Sequence, residues 1–425
     1  MNSLTPRRLG SMLLAVAILF YLKAMVYDVL LFSQRNDFGH LYVGGYAAAN
    51  GINFFDPRAM LQAAGQLGIP RLNPFVYPPF FALALIPLHW MRADIAWMVF
   101  TALSHAAFFL ALALLIRSLR RPGEDVLLWW GASLLAASLF DPLQATFMAG
   151  QVNTFLLLLF CASWRLWAKG RTGWAGALLG LGAAVKLAPG LFLLYFVRKR
   201  EWRAAAALVG IVFVSWVLSW MALGGDVHTA FLSEARQMAY GSSTWSQFGQ
   251  HFHVEPHNQA PSAFWYRLFT HNPSTTGVLD SPMLAKSLSM FSALIVLAGL
   301  TRLSSPRQPC DAREWGLWIL GMLWLPSLLW DHYFTQALFP LAVGARLILD
   351  GHERYAVALA AGAALLAVNF FYDILPFKSG LLTACMSIKL YGSILVGLYL
   401  LRHRLPGAAD QTISTDENSP SSVIT

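Results

Sequence analysis

LGSMLLAVAILFYLKAMVYDVLLF, residues 9–32, runs directly into SQRNDFGHLYVGGYAAANG, residues 33–51. The first stretch is long enough to cross the roughly 30 Å hydrocarbon core of a bilayer as one helix, for which about 20 mostly apolar residues suffice. It is too long for the h-region of a signal peptide and lacks a small-residue cleavage pattern, so it is expected to stay as a membrane helix. The second stretch places Asp37, three aromatic residues and several glycines where the chain leaves the membrane.

The rest of the chain repeats the apolar pattern. Its 425 residues are 57% hydrophobic and 12% charged, with a mean hydropathy of +0.54. Soluble domains carry about 25% charged residues. Further apolar runs lie near 94–117, 126–141, 152–168, 204–223, 284–303, 315–330, 333–349, 355–371 and 380–401. Residues 172–197 form another, interrupted by VKLAPG. If it enters and returns as a broken hairpin, the basic clusters RLWAKGR and VRKREWR stay on one side. The expected architecture is an all-α, polytopic membrane protein of about 12 membrane segments. It forms one domain over 1–405, with both termini cytoplasmic and a disordered polar tail over 406–425.

The net charge of +9 follows that topology. Nineteen of the 30 Lys and Arg, from Arg7 and Arg8 to Arg402 and Arg404, fall in cytoplasmic loops or span ends. The charge orients helices, so no nucleic-acid partner is assigned. Cys161, Cys310 and Cys385 have no metal-type spacing.

Two outer loops are long, 33–93 and 224–283. In the first, Phe38, Leu41, Tyr42 and Tyr46 recur at helical spacing, and Asp56-Pro57 is an N-cap followed by proline. Both segments read as short amphipathic helices lying in the membrane interface. Pro79–Met91 is about 20 Å as a helix, which suits a segment that dips in and returns. The second loop is rich in aromatics, histidines and amides, which fits either sugar contact or an interfacial aromatic belt.

Charged residues within spans are rare and usually functional. Asp37 is either a first-turn acid favoured by the helix dipole or a general base at the membrane surface. Asp331 and His332 sit in WDHYF at the mouth of a tight hairpin, as a polar turn or a proton acceptor. Lys186 lies at the tip of the broken hairpin, either snorkelling or holding an anion. Gln151 and Asn153 open a span and suit sugar hydroxyls or a neighbouring helix. Asp141 reads as a cap or a further acid. No nucleotide-binding, zinc or GxSxG motif is present.

The ordered series NDFGHLYVGGYAAANG, FVYPPFFALALIPL, GQVNTFLLLL, GALLGLGAAVKLAPGLFLLY, HNQAPSAFWYRL and LPSLLWDHYFTQALFPL resembles the bacterial glycosyltransferase family 87, over roughly residues 37–340. That family groups polyprenyl-phosphate-sugar-dependent mannosyl- and arabinofuranosyltransferases of the GT-C superfamily. The resemblance implies a GT-C-type helical bundle in the bacterial inner membrane with its active site facing outward. It implies inverting transfer from a lipid-linked donor to a lipid or glycan acceptor, without cofactor or metal. It maps the catalytic acid onto Asp37, the family's DH pattern onto Asp331 and His332, and its lysine before proline onto Lys186. Its asparagine-glutamine patch maps onto Asn258 and Gln259, and a family-like arginine is Arg267. Tyr77 of the YPP motif joins Gln151, Asn153, Asn258 and Gln259 as a substrate-binding candidate. Ala260 departs from the serine common there. Asp37 or His332 is then the candidate base, and Lys186 with Arg267 the candidate phosphate ligands. The competing readings are a flippase for lipid-linked sugars and a structural scaffold. A flippase would often repeat its broken helix in the second half, where no counterpart is seen.

Overall fold

The computed structural model of the protein describes residues 6–306, 310–372 and 374–402. The expected polar tail at 406–425 lies outside the described residues. Among those residues the chain is helical throughout, and its extended pairings are isolated bridges. Five helices are long and apolar enough to cross a membrane: Pro6–Phe32, Ala93–Leu119, Trp202–Leu223, Pro282–Leu303 and Gly380–Arg402. A sixth forms if Val126–Ser138 and Asp141–Ala149, bent by 65°, count as one span. The protein is thus a multi-pass helical bundle, and several expected spans are shorter or broken pieces packed between the long ones.

The first span comprises α1 (Pro6–Tyr21), a π-helical segment (Leu22–Tyr27) and α2 (Asp28–Phe32). The wider π turn brings Lys23 to Asp28, five residues on, at 2.6 Å. Gln144 Nε2 donates to Ala24 O within the same turn. Ser33 Oγ and Arg35 N then both donate to Met148 O, and Arg35 adopts the left-handed conformation. This knot starts α3 (Asn36–Ala49), with Asp37 in its first turn.

α3 is not the half-immersed surface helix suggested by its apolar spacing. Eleven of its 14 residues are buried. Its glycine-bearing side, blank in a hydrophobicity pattern, is where α5 (Pro79–His89) crosses. A Cβ at Gly45 would lie 2.6 Å from Leu85 O, so that crossing requires glycine. Between them, α4 (Pro57–Gln66) begins as its sequence predicts, with Asp56 accepting from Arg58 N and Pro57 at the first helical position.

α6 (Ala93–Leu119) and α7 (Val126–Ser138) are followed by the bent α8 (Asp141–Ala149) and by α9 (Asn153–Trp167). α10 (Thr172–Val185), α11 (Phe192–Lys199) and α12 (Trp202–Leu223) come next. Gly176 lies against Ala204 and Gly180 against Leu208, so α10 and α12 run parallel. Residues 186–199 therefore carry the chain back to the end where α10 began: the interrupted stretch is an out-and-back excursion with Lys186 at its far tip.

The long loop 224–283 holds α13 (Gly225–Gln237) and α14 (Pro261–Phe269). It leads to α15 (Pro282–Leu303), α16 (Ala312–Trp324), α17 (Leu338–Leu349), α18 (Ala356–Ala367) and α19 (Ile388–Arg402). Basic residues gather at one end of the bundle. Arg117 and Arg165 fall in the last turns of α6 and α9, Arg198 and Lys199 in that of α11, and Arg346 in that of α17. Buried pairs lock this end: Arg346 with Glu124 at 2.6 Å, and Lys199 with Glu314 at 2.8 Å. The opposite helix ends, at Phe32, Asn153, Lys186 and Leu338, converge on the site.

Candidate active site

At that converging end lies a cavity of about 550 Å³ whose walls include Asp37, His40, Asn73, Tyr77, Asp141, Gln151, His257, Asp331, His332 and Tyr333. Asp37 is its focus. Asn73 Nδ2 donates to Asp37 Oδ1 at 2.8 Å, and Gln151 Nε2 donates to Oδ2 at 2.7 Å. Tyr77 donates its hydroxyl to Gln151 Oε1 at 2.9 Å, which fixes the amide with its NH2 toward the carboxylate. Tyr77 and Gln151, expected to bind substrate, are thus placed in the cavity wall as the support of Asp37.

Two imidazoles flank the carboxylate. His40 Nδ1 lies 3.8 Å from Oδ1, and His332 Nε2 lies 3.8 Å from Oδ2. Both gaps exceed a hydrogen bond. Burial alone would raise the Asp37 pKa. The two histidines and the two amide donors outweigh burial and hold it below the usual carboxylate value. Burial, partly opposed by Asp37, pushes each histidine down to about 4, so both are neutral at physiological pH. The site presents an ionised carboxylate between two neutral rings.

Asp331 and His332, adjacent in sequence, face different partners. His332 turns to Asp37, while Asp331 accepts from Tyr372 OH at 3.0 Å and pairs with His257 Nδ1 at 3.1 Å. The hydrogen bond accepted by Asp331, against the opposing effect of burial, raises the His257 pKa. Asn153 lies beneath the cavity floor and donates to His332 O at 3.0 Å, as does Thr146. Its placement suits positioning of the histidine segment rather than contact with a sugar.

Lys186 caps α10 at the excursion's tip. Its Nζ is buried without a hydrogen-bond partner and sits 3.1 Å from the centroid of the Tyr333 ring; Tyr333 lines the cavity, and Lys186 lies behind it, outside the lining. An ammonium held only by a π face keeps its donors free for an incoming anion.

Arg267, Asn258 and Gln259 are not part of the cavity lining. Arg267 is fully buried, with Nη1 donating to Glu255 O and Asn258 O and Nη2 to Ser387 Oγ. The Asn258 amide bonds Phe252 O, Ser327 O, Ala260 N and Leu329 N. Gln259 bonds Pro256 O, Met386 O and Lys389 N. Asn258 thus docks the 224–283 loop onto the segment leading to Asp331 and His332, while Arg267 and the Gln259 side chain tie it to residues 386–389. Asp141 is paired with the buried Lys389 at 2.7 Å.

His40, Asn73 and Tyr333 had no role in the sequence reading. His40 was detectable, because position i+3 shares a helix face with Asp37. Asn73 approaches across a loop and gives no such signal. Among the described residues, no group of three or more His, Cys, Asp or Glu could hold a metal ion.

A second, apolar cleft of about 800 Å³ runs between α6, α7, α17 and α18, with Phe140 and Ala367 among its walls. Phe140 precedes Asp141, so the α7–α8 bend separates an apolar wall below from a polar wall above.

The sequence profile of glycosyltransferase family 87 matches residues 75–330, more than half of the chain. The chain belongs to glycosyltransferase family 87. The family 87 match contains Tyr77, Gln151 and Lys186, while Asp37 and His332 flank it. A polyprenol-phosphate-mannose-dependent alpha-(1-2)-phosphatidylinositol pentamannoside mannosyltransferase of Mycolicibacterium smegmatis is 31% identical over 230 residues, 53% of this chain and 52% of the relative. A polyprenol-phosphate-mannose-dependent alpha-(1-2)-phosphatidylinositol mannoside mannosyltransferase of the same organism is 29% identical over 202 residues, 44% of each chain. A pentamannoside mannosyltransferase of Mycobacterium tuberculosis is 28% identical over 205 residues, 44% of this chain and 46% of the relative. The chain spans about half the length of the curated relatives it matches. No solved structure gives a significant match.

Proposed function

We propose that this family 87 protein is an inverting membrane glycosyltransferase. In this reading it moves a sugar, mannose by analogy with its relatives, from a polyprenyl phosphate to a lipid or glycan acceptor. The observation that carries the reading is the Asp37 carboxylate, held ionised in a cavity by Asn73 and Gln151, with the unpartnered Lys186 nearby, whose charged form burial disfavours and Asp37 supports.

Asp37 takes the proton of the acceptor hydroxyl as that oxygen bonds to the sugar's anomeric carbon. The bond from that carbon to the phosphate oxygen breaks on the opposite face, which inverts the configuration. Lys186 receives the charge developing on the departing phosphate, the task a metal would otherwise have. His332, neutral, stands as base partner to Asp37. The donor brings its own activation, so the reaction uses no cofactor. The apolar cleft, whose wall residue Phe140 adjoins the cavity residue Asp141 in the chain, suits a lipid-borne substrate.

The site lies at the end of the bundle opposite the basic cluster. Cytoplasmic loops carry the excess of Lys and Arg, so the site is assigned to the outer face of the bacterial cytoplasmic membrane, with termini inside and about 12 membrane segments. The test is incubation of purified protein with polyprenyl-phosphate-mannose and a phosphatidylinositol mannoside, followed by measurement of mannosylated product and released polyprenyl phosphate. Orientation is tested by a cysteine at Gln247, which is exposed, unlike the buried Ser243. Labelling from the cytoplasmic side only would reverse the assignment.

A further inference from the structure

His40 is the buried titratable group at the site that the mechanism above does not use. Neither ring nitrogen has a hydrogen-bond partner. A buried imidazole with both nitrogens unsatisfied is costly, and such groups mark catalytic positions or bound molecules. Packing pins the ring: it stacks on Tyr77, with centroids 5.7 Å apart and planes 25° apart, and meets the edge of Phe75. One nitrogen faces Asp37 Oδ1 at 3.8 Å, and the ring borders the cavity. The charge of Lys186 acts on it as well. His40 thus lies within the influence of both the base and the residue assigned to the phosphate.

We propose that His40 relays the acceptor's proton from Asp37 to the departing phosphate, which resets the base for the next turnover. The inference rests on the transferase reading and adds the step that reading leaves open. Transfer leaves Asp37 protonated and the polyprenyl phosphate as a dianion. The Asp37 proton moves to His40 Nδ1, giving an imidazolium and an ionised Asp37. The imidazolium then releases the proton on Nε2 to a phosphate oxygen, giving the monoanion and a neutral ring protonated on Nδ1, and proton exchange with water, off Nδ1 and onto Nε2, restores the starting tautomer before the next turnover. No electron is gained or lost, and the proton that leaves the acceptor departs with the lipid phosphate. The direction is favourable, since a phosphate monoester has a second pKa near 6. The charged and titratable groups around His40 are Asp37, Lys186, His332, Tyr77 and Tyr333.

The experiment uses full-length protein with polyprenyl-phosphate-mannose and a phosphatidylinositol mannoside. His40→Asn is expected to lower kcat roughly 100-fold with donor KM nearly unchanged, in line with loss of one proton-transfer group. His40→Ala should regain a good part of that loss when imidazole is added to the buffer. Wild-type kcat in His40→Asn, or a folded His40→Ala that imidazole does not rescue, overturns the relay. A second measurement needs no turnover: the NMR titration of the His40 ring in wild type and in Asp37→Asn. Loss of the carboxylate should lower its midpoint, and an unmoved midpoint overturns the pairing. If wild type transfers no mannose, the transferase reading fails, while the titration still decides whether His40 and Asp37 are coupled.

Discussion

Replacing Gln151 by Met keeps the volume of the side chain but removes the amide that donates to Asp37 Oδ2 at 2.7 Å. A hydrogen bond to an ionised group contributes about 1.5–3 kcal/mol. Withdrawing it from the ionised form favours the protonated acid by about ten- to a hundredfold. Since only the ionised form can act as base, the acid limb of kcat/KM for mannosyl transfer should move to higher pH. Above neutrality, where Asp37 is ionised in both proteins, the rates should approach each other. The substitution also strands the Tyr77 hydroxyl, which now donates to Gln151 Oε1, at about 1–3 kcal/mol of thermal stability. Tyr77→Phe should move the same limb less, because Tyr77 acts only through Gln151. The double variant should add little to Gln151→Met, as expected for coupled residues. The assay is a pH–rate profile alongside thermal unfolding. A folded Gln151→Met enzyme with an unmoved acid limb would refute the claim that this network sets the ionisation of Asp37.

Other sites give separate expectations. Lys186→Met should raise the donor KM by roughly ten- to a hundredfold, matching loss of a charged donor to phosphate, with melting temperature preserved; an unchanged KM removes Lys186 from the phosphate site. Arg267→Met strips donors from Glu255 O, Asn258 O and Ser387 Oγ, so it should cost about 3 kcal/mol or more of stability while leaving the donor KM of the folded fraction alone. A raised KM at unchanged stability would instead place Arg267 on the phosphate. Gly45→Val should destabilise the protein by about 1–3 kcal/mol, measured by thermal unfolding, because its side chain meets the Leu85 backbone.

Much of the membrane character was legible because apolar run length is a strong and local signal. Asp37 and His332 stood out because charged and titratable residues at membrane boundaries are few. What the sequence concealed came from contacts between distant segments. The burial of α3 was hidden because Gly44 and Gly45 contribute nothing to an apolar pattern, although Phe75 packs on the first and α5 crosses over the second. The bend at Phe140–Asp141 carries no comparable mark, whereas the break at Lys186 was legible in VKLAPG. Arg267 and the Asn258–Gln259 pair read as ligand contacts through the family resemblance; the structure gives them backbone carbonyls and amides as partners. Residue type alone does not distinguish those outcomes. The split of Asp331 and His332 between two partners likewise depends on where Tyr372 and His257 arrive from other parts of the chain.

The central claim is that Asp37 is the base. Asp37→Asn is nearly isosteric and removes the proton acceptor, so mannosyl transfer from polyprenyl-phosphate-mannose should fall by at least about 10²-fold, with donor binding and melting temperature close to wild type. Transfer at the wild-type rate by folded Asp37→Asn protein would contradict the account.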